Sequence, residues 1–308
     1  MDLLKCRYII TIADQQSFSK AASTMFVSQP YLSKLVSDIE NELGSRLFIR
    51  EKNKVYLTKA GECYIKYAKE LLLTEQNMLA DLREFSEGSK GRITIGFPPT
   101  NGSYILPYAF RDFRHLYPDV EIVIEENDNQ SLMEHTLNAT IDLCFFSLLE
   151  YPADLDFELI KMEPILLVLP PGHPLGTPEA RGNYKNPPFF NKTDIKKLAE
   201  DPCLTLKKNK GMGMIAYDIF EQCGITPNVI FETNNIETAY RMAATGSGFT
   251  FIPEICTRFS SFDEQPYYYK ISLDLKEVYH RSHVAAFRKG RNLQTMEKAL
   301  IDVIRKYA

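Results

Sequence analysis

Ser17-Phe18-Ser19-Lys20-Ala21-Ala22, Val27-Ser28-Gln29-Pro30-Tyr31-Leu32-Ser33-Lys34, Ile39-Glu40-Asn41-Glu42-Leu43-Gly44, Leu47-Phe48-Ile49-Arg50 and Leu57-Thr58-Lys59-Ala60 follow one another within 44 residues. They read as a helix, a tight turn, a second helix and a short basic hairpin. Ser17 can cap the helix from Phe18 to about Met25, and Ala21-Ala22 lets a neighbouring helix approach closely. Ser28 is a good N-cap for the next helix. Pro30 falls in its first turn, where a missing N–H does no harm. That helix is expected to bury Leu32, Leu35, Val36, Ile39 and Leu43 and to end at Gly44, a C-cap residue. Upstream, Leu3, Leu4, Tyr8, Ile9 and Ile12 recur at helical spacing and predict a first helix. Downstream, Leu47–Arg50 and Val55–Leu57 form two strands around the turn 51–54, a wing.

The exposed start of the helix after Pro30 carries short polar groups, and a helix N-terminus suits phosphate. A helix of this kind can enter a major groove. Gln29 is the best candidate for a base edge, because its amide pairs bidentately with adenine. Tyr31 suits a thymine methyl or a phosphate, and Lys34 a phosphate, against the plainer reading of a solvated face. Ser28, Pro30 and Ser33 complete the reading set, although capping alone explains Ser28. Arg50, Lys52 and Lys54 on the wing can reach the minor groove or flanking phosphates. Phe18, Ala21, Ala22, Leu32 and Leu43 read as core.

From Thr58 to Glu87 there is no proline, and Gly61 is the one glycine. Tyr64, Tyr67, Leu71, Thr74, Met78 and Phe85 step by three and four, with Asp81 completing the repeat. One long helix with an imperfect heptad seam, suited to pairing with a second copy, is expected. Gly88-Ser89-Lys90-Gly91 marks a linker. Then strands and helices alternate: strand 92–97, helix 105–116, strand 120–124, helix 131–137, strand 141–146 and strand 165–169. After a Pro-, Gly- and Asn-rich insertion at 176–193, the pattern resumes with strand 203–206, helix 212–223, strand 228–232 and helix 236–244. It closes with strand-like 246–253, strands near 267–273 and 278–287, and a helix from about 293 to 306. Such alternation implies a parallel sheet with helices on both faces, in two halves.

The chain has 308 residues, which suggests more than one domain, and its 44% hydrophobic and 25% charged content is that of a globular protein. No apolar run approaches the roughly 20 residues that span a bilayer. No secretory signal is visible at the start, so the expected location is the cytoplasm, away from membranes. The net charge of −4 does not announce a nucleic-acid partner, yet residues 1–58 hold eight basic against six acidic side chains. Cys6, Cys63, Cys144, Cys203, Cys223 and Cys256 are scattered, as reduced thiols in a core would be.

With these blocks in hand, the sequence resembles the LysR-type transcriptional regulators along nearly its whole length. The head carries the family's winged helix-turn-helix blocks, including Leu57-Thr58-Lys59-Ala60-Gly61. The remainder carries weaker landmarks in order: Gly91 to Gly96, Tyr117-Pro118, Gly172-His173-Pro174-Leu175, Glu232-Thr233-Asn234 and Gly246-Ser247-Gly248-Phe249 through Pro253. Two departures are the 176–193 insertion and the unusual loop Pro98-Pro99-Thr100-Asn101-Gly102. The resemblance implies an α/β protein with an N-terminal α winged helix-turn-helix, a long linker helix and a two-lobed effector domain like a type 2 periplasmic binding protein. The expected domains are 1–58 for DNA, 59–88 for linking and dimerisation, and two effector lobes. The first lobe takes 92–163 with 286–308, the second 164–285.

Small ligands in such folds sit at strand C-terminal ends near helix N-termini. Thr100, Asn101, Ser103, Phe146, Ser147, Thr205, Lys207 and Thr250 are the segments' candidates for the effector, with an organic anion as the expected class and no other cofactor. For any single hydroxyl, local capping is the competing reading, and Lys207, Lys208 and Lys210 also read as a solvated loop. The resemblance favours Arg50 as the groove residue. It further implies duplex operator DNA, a homodimer growing to a homotetramer that bends DNA, and a footprint that shifts when a small molecule closes the cleft. RNA polymerase is a further candidate partner.

Rival readings are weaker. An enzyme on this fold needs a nucleophile with a base, or paired acid and base. His280-x-x-His283 has the composition of a metal pair, but on a strand those positions face opposite ways. No phosphate loop is present. A transport receptor is expected to start with a signal peptide, which is not visible in this sequence, and the DNA head argues against it. A redox-responsive regulator would use Cys203 and Cys223, with only Lys207 and Lys208 nearby to lower a thiol pKa.

Overall fold

The structure is a computed structural model. It describes all residues except 1, 52–53, 88–90, 149–151, 210 and 274–276, and also leaves aside the side chains of 51, 76, 80, 81, 83–87 and 148. The linker at 88–90, Lys52, Lys210 and the seam side chains Asp81 and Phe85 therefore lie outside the described residues. Contacts divide the chain into two units, Met1–Gly88 with Gly290–Gln294, and Ser89–Lys289 with Thr295–Ala308.

In the first unit, α1 (Leu3–Gln15), α2 (Phe18–Thr24) and α3 (Gln29–Leu43) precede β1 (Phe48–Glu51), β2 (Lys54–Leu57) and α4 (Lys59–Glu87). Asp2, Ser17 and Ser28 each cap a helix with a side-chain oxygen, and Gly44 closes α3 at φ 65°. Tyr8, Ile9, Ile12, Phe18, Ala21, Ala22, Leu32, Val36, Ile39, Leu47, Phe48 and Val55 make one apolar core. Leu43, expected in the core, and Leu4, on the expected apolar spacing of the first helix, differ. Leu4 and Leu43 are each 48% exposed, because they sit in the outermost turns of their helices, past the reach of that core. β1 and β2 pair antiparallel with Phe48 opposite Leu57 and Glu51 opposite Lys54. On α4, Tyr67, Leu71, Met78, Leu79 and Leu82 are exposed, so its apolar seam is uncovered within one chain.

The second unit begins with β3 (Gly91–Phe97), α5 (Pro99–Leu116), β4 (Val120–Glu126), α6 (Asn129–Leu137) and β5 (Leu143–Leu148). There follow β6 (Leu155–Leu169), β7 (Phe189–Asn191), α7 (Lys192–Lys196), β8 (Pro202–Leu206), α8 (Gly211–Cys223), β9 (Asn228–Thr233) and α9 (Ile236–Ala244). β10 (Thr250–Pro253), a 3-10 turn at Glu254–Thr257, β11 (Tyr267–Ser272), β12 (His280–Arg288) and α10 (Thr295–Tyr307) complete it. The main sheet runs β4-β3-β5-β12-β6-β11-β7, with β10 also on β6, while β8 and β9 pair in parallel elsewhere.

The sheet is mixed, not wholly parallel as the alternation implies. β3, β4 and β5 are parallel, but β12 is antiparallel to both β5 and β6. The reason is β6, a 15-residue strand expected only over 165–169. Its first half, broken up in sequence by Asp156, Glu158, Lys161 and Glu163, pairs with β12. Its apolar second half pairs with β10 and β11. β6 and β12 thus cross between two lobes, one built on β3–β5 and the other on β8–β11. Residues 176–193 are largely turns, but Phe189–Asn191 adds an edge strand parallel to β11. α5 starts at Pro99, six residues before the expected 105, because Pro98 holds extended geometry and Pro99 suits a first helical position.

Candidate nucleic-acid interface and effector site

α2 ends in a tight backbone knot. The Phe26 N–H donates to the Ser23 carbonyl at 3.3 Å and the Val27 N–H to the Ala22 carbonyl at 3.0 Å. Ser28 then turns the chain into α3, its hydroxyl accepting from the Tyr31 N–H at 3.3 Å. Ser28, Pro30, Tyr31 and Lys34 are exposed, Gln29 and Ser33 half-buried. No acidic residue lies in the first turn of α3, so its positive end is uncompensated.

The wing is tied to this helix at two points, neither of them signalled by the sequence motif alone. Glu40 Oε1 accepts the Leu47 N–H at 2.7 Å and the Phe48 N–H at 3.1 Å, fixing β1 against α3. The Arg50 guanidinium donates to Ser33 Oγ at 2.8 Å and lies 4.1 Å over the Phe18 ring. Ser33 and Arg50 therefore act as a pair, and Arg50 must leave Ser33 to extend into a groove. Lys54 is exposed, opposite Glu51.

In the second unit the C-terminal ends of β3, β4 and β5 converge. The Asn127 N–H reaches the Phe97 carbonyl at 3.3 Å, and Asn129 Nδ2 reaches the Ser147 carbonyl at 2.8 Å. Thr100 is half-buried and Asn101 buried at the start of α5, whose N-cap Pro98 offers no side-chain bond. Ser103 is exposed, with its hydroxyl spent on the Pro99 carbonyl at 2.9 Å. Thr205 and Thr250 are buried, and Thr205 Oγ1 bonds the Leu206 carbonyl at 3.3 Å. Lys207 is exposed.

Phe146 is a correction. It is fully buried in the apolar cluster with Leu132, Ile141, Cys144, Val284 and Ala286, and no ligand can reach it. Successive side chains on a strand face opposite ways. Ser147 therefore points to the other face, where its cross-strand partner is His283, itself opposite Lys161 on β6. Ser147 Oγ and His283 Nε2 are both buried without a hydrogen-bond partner among the described residues.

Beside this pair lies a charged cluster that the sequence reading missed. Arg281 faces Glu163 across the strands, with Nη2 2.7 Å and Nε 2.8 Å from Oε2. Glu163 Oε1 accepts the Ile255 N–H at 3.1 Å, and Arg281 Nη2 reaches Asn101 Oδ1 at 3.4 Å. One ion pair thus joins both crossing strands to α5 of one lobe and the 3-10 turn of the other. Lys161 Nζ pairs with Glu254 at 2.9 Å in the same place. Burial pushes the Glu163 carboxyl up, but Arg281 and His283 outweigh it and hold it below its ordinary value. Burial lowers His283 to about 4, helped by Arg281 and Lys161 and opposed by Glu163, so its imidazole is neutral near pH 7. A second tie between lobes runs from Tyr104 OH on α5 to Glu237 at 2.5 Å and to the Cys256 carbonyl at 3.3 Å. For Lys161, Glu163 and Arg281 the sequence signal was a polar residue interrupting an apolar strand.

Burial also works against a thiol switch. Cys203 is 1% exposed and burial alone pushes its thiol up to about 12, while burial raises Cys223 more than Lys192 and Lys196 lower it. No helix among the described residues is long and apolar enough to cross a membrane.

Comparison with known proteins fits this geometry. The family described as LysR substrate binding domain matches residues 86–308, and that described as bacterial regulatory helix-turn-helix protein, lysR family, matches 3–62. The chain belongs to the LysR family of transcriptional regulators. It is 30% identical to the Bacillus subtilis (strain 168) protein described as the uncharacterized HTH-type transcriptional regulator YcgK, over 99% of this chain and 94% of that one. A full-length OxyR variant from Pseudomonas aeruginosa shares the fold at a TM-score of 0.66 and 24% identity, covering 100% of this chain and 99% of that one. Full-length CbnR, solved with its target DNA, shares it at a TM-score of 0.51 and 17% identity, over 100% and 99%. This LysR-type regulator thus carries its DNA-binding function on the α2–α3 head, and its family is one of regulators, not of enzymes.

Proposed function

We propose that this regulator binds a pseudo-palindromic operator through α3 and the wing of paired heads, and that a small polar organic molecule between the lobes modulates that binding. The observation that carries the second half is the pair of orphaned polar atoms, Ser147 Oγ on β5 and His283 Nε2 opposite it on the crossing strand β12. A buried unsatisfied polar atom costs about 1–3 kcal/mol, so a rearrangement that brings a ligand's donor or acceptor to these atoms is favoured. The uncapped start of α5, with Thr100, is a natural seat for the ligand's acceptor end. An anion there must contend with Glu126, whose Oε1 lies 3.2 Å from where a Cβ on Gly102 would stand. The ligand biases which lobe arrangement is populated and so the geometry of the paired heads.

Pairing of heads is supported by the uncovered Tyr67, Leu71, Met78, Leu79 and Leu82 on α4. The family's assembly into dimers and tetramers comes to this chain on the same ground, and sedimentation of the full-length protein tests it. For the DNA half, Gln29→Ala is expected to weaken binding to a selected duplex about tenfold or more while leaving nonspecific binding nearly unchanged, as loss of one base-reading contact should. Equal affinity of the variant for its selected duplex in a gel shift would remove Gln29 from the reading set. For the ligand half, a thermal-shift screen of metabolites on the full-length chain should find a compound that raises the midpoint and changes operator affinity. Thr100→Val with Ser147→Ala should abolish that response and spare DNA binding. A hit that acts equally on this double variant would move the effector elsewhere.

A further inference from the structure

Phe26 stands out in the turn between α2 and α3. Its side chain is 96% exposed, more than any other large apolar residue described. Its backbone is left-handed, φ 55°. The two hydrogen bonds that close α2, from the N–H groups of Phe26 and Val27 back to Ser23 and Ala22, put Phe26 at the position of a helix-ending motif where glycine is usual. A bulky side chain in left-handed backbone is strained, and an exposed ring gains nothing from burial. Neither local structure nor packing within the chain accounts for phenylalanine here. What adjoins it is the reading surface: Ser28, two residues on, caps α3, and Pro30 and Tyr31 are exposed just beyond.

We propose that Phe26 is a DNA-contacting residue that places its ring against a thymine methyl at the edge of the major groove beside α3. The proposal rests on α3 being the groove-reading helix. Major-groove recognition includes apolar contact between such side chains and the thymine C5-methyl. The turn fixes the ring relative to the α3 N-terminus, because only Val27 separates Phe26 from the N-cap. A ring carried on strained backbone gives a directed contact that a relaxed glycine at the same place cannot make.

The test uses the full-length protein and a duplex selected by it from a randomised library. Phe26→Gly and Phe26→Asn, which both suit left-handed backbone, are expected to bind that duplex about fivefold to tenfold more weakly. The salt dependence should not change, since no phosphate-neutralising charge is lost. The thermal midpoint should stay level or rise in Phe26→Gly. Replacing thymines one at a time with deoxyuridine should weaken wild-type binding at one position in each half-site and leave Phe26→Gly indifferent there. Equal affinity of wild type and both variants would overturn the proposal, as would identical deoxyuridine profiles. A fall in sedimentation coefficient for the variants, without loss of DNA affinity per protomer, would assign the ring to a contact between copies and also overturn it. Failure of the wild type to select any sequence would sink the DNA reading itself, an outcome distinct from the other three.

Discussion

Arg281→Met is expected to destabilise the α/β body by about 3–5 kcal/mol, because it strands a buried carboxylate. Glu163 is 4% and Arg281 9% exposed, so solvent screens this pair little. The intact pair is not itself a large source of stability, since removing both charges from water costs about what their attraction returns. The asymmetry lies in breaking it. Without the guanidinium, Glu163 keeps the Ile255 N–H as its hydrogen-bond donor among the described residues and must protonate or draw water between the strands. Asn101 loses its contact from Nη2 as well, so the start of α5 loosens. Hydrogen exchange on the full-length chain should show β6 and β12 opening first, with the α2–α3 head unchanged. The double variant Arg281→Met with Glu163→Leu should recover most of the loss. A single variant within about 1 kcal/mol of wild type would mean that the cluster is wetter than its burial indicates.

That cluster also marks the limit of what the sequence discloses. The head was legible because its constraints are local. A capping serine, a proline in the first turn and a glycine at the C-cap act within a few residues, and the structure has all three. The helix Ile236–Ala244 was legible for the same reason, with Asn235 capping it. β6 was not. Its charged half looks like a loop until β12, more than a hundred residues later, supplies Arg281 opposite Glu163 and His283 opposite Lys161. Its partner supplies the meaning of each polar residue, and no short-range pattern encodes the partner. The effector candidates divide the same way. Ser147 and Asn101 were reached by counting from strand ends, and both lie at the crossing. Phe146 failed by a single residue, because the alternation of a strand sends it into the core while Ser147 faces His283. The strain at Phe26 was equally hidden, since a phenylalanine between two helices reads as core until its backbone angle and exposure are seen.

Lowering the pH from about 6.5 to about 4 is expected to remove roughly 3 kcal/mol of stability through His283 alone, at 1.36 kcal/mol per pKa unit. The sign follows from linkage. The folded protein holds His283 at about 4, below its ordinary 6.5, so the unfolded chain binds more protons throughout that window. The contribution is fully present above 6.5 and is lost as pH falls toward the folded value. Glu163 adds a separate loss at lower pH. Its folded carboxyl sits below its ordinary 4.5, so the stability it lends is present above that value and declines beneath it. Protonated His283 would lie beside buried Arg281 and the half-buried Lys161, and Glu163, already engaged by Arg281, can offset one of these charges at most. The measurement is the midpoint of thermal unfolding between pH 7.5 and 4.5 for wild type and His283→Gln, which keeps a polar side chain that never charges. The wild type should fall steeply below pH 6.5, and the variant should follow a shallower line that converges with it or crosses it. Parallel curves would show that His283 does not resist protonation in the folded state. Because His283 on the crossing strand β12 sits between Ser147 and Lys161, the same protonation should shift the lobes' equilibrium before the body unfolds. Operator affinity measured from pH 5 to 4, where the folded imidazole begins to charge, should therefore change in wild type more than in His283→Gln.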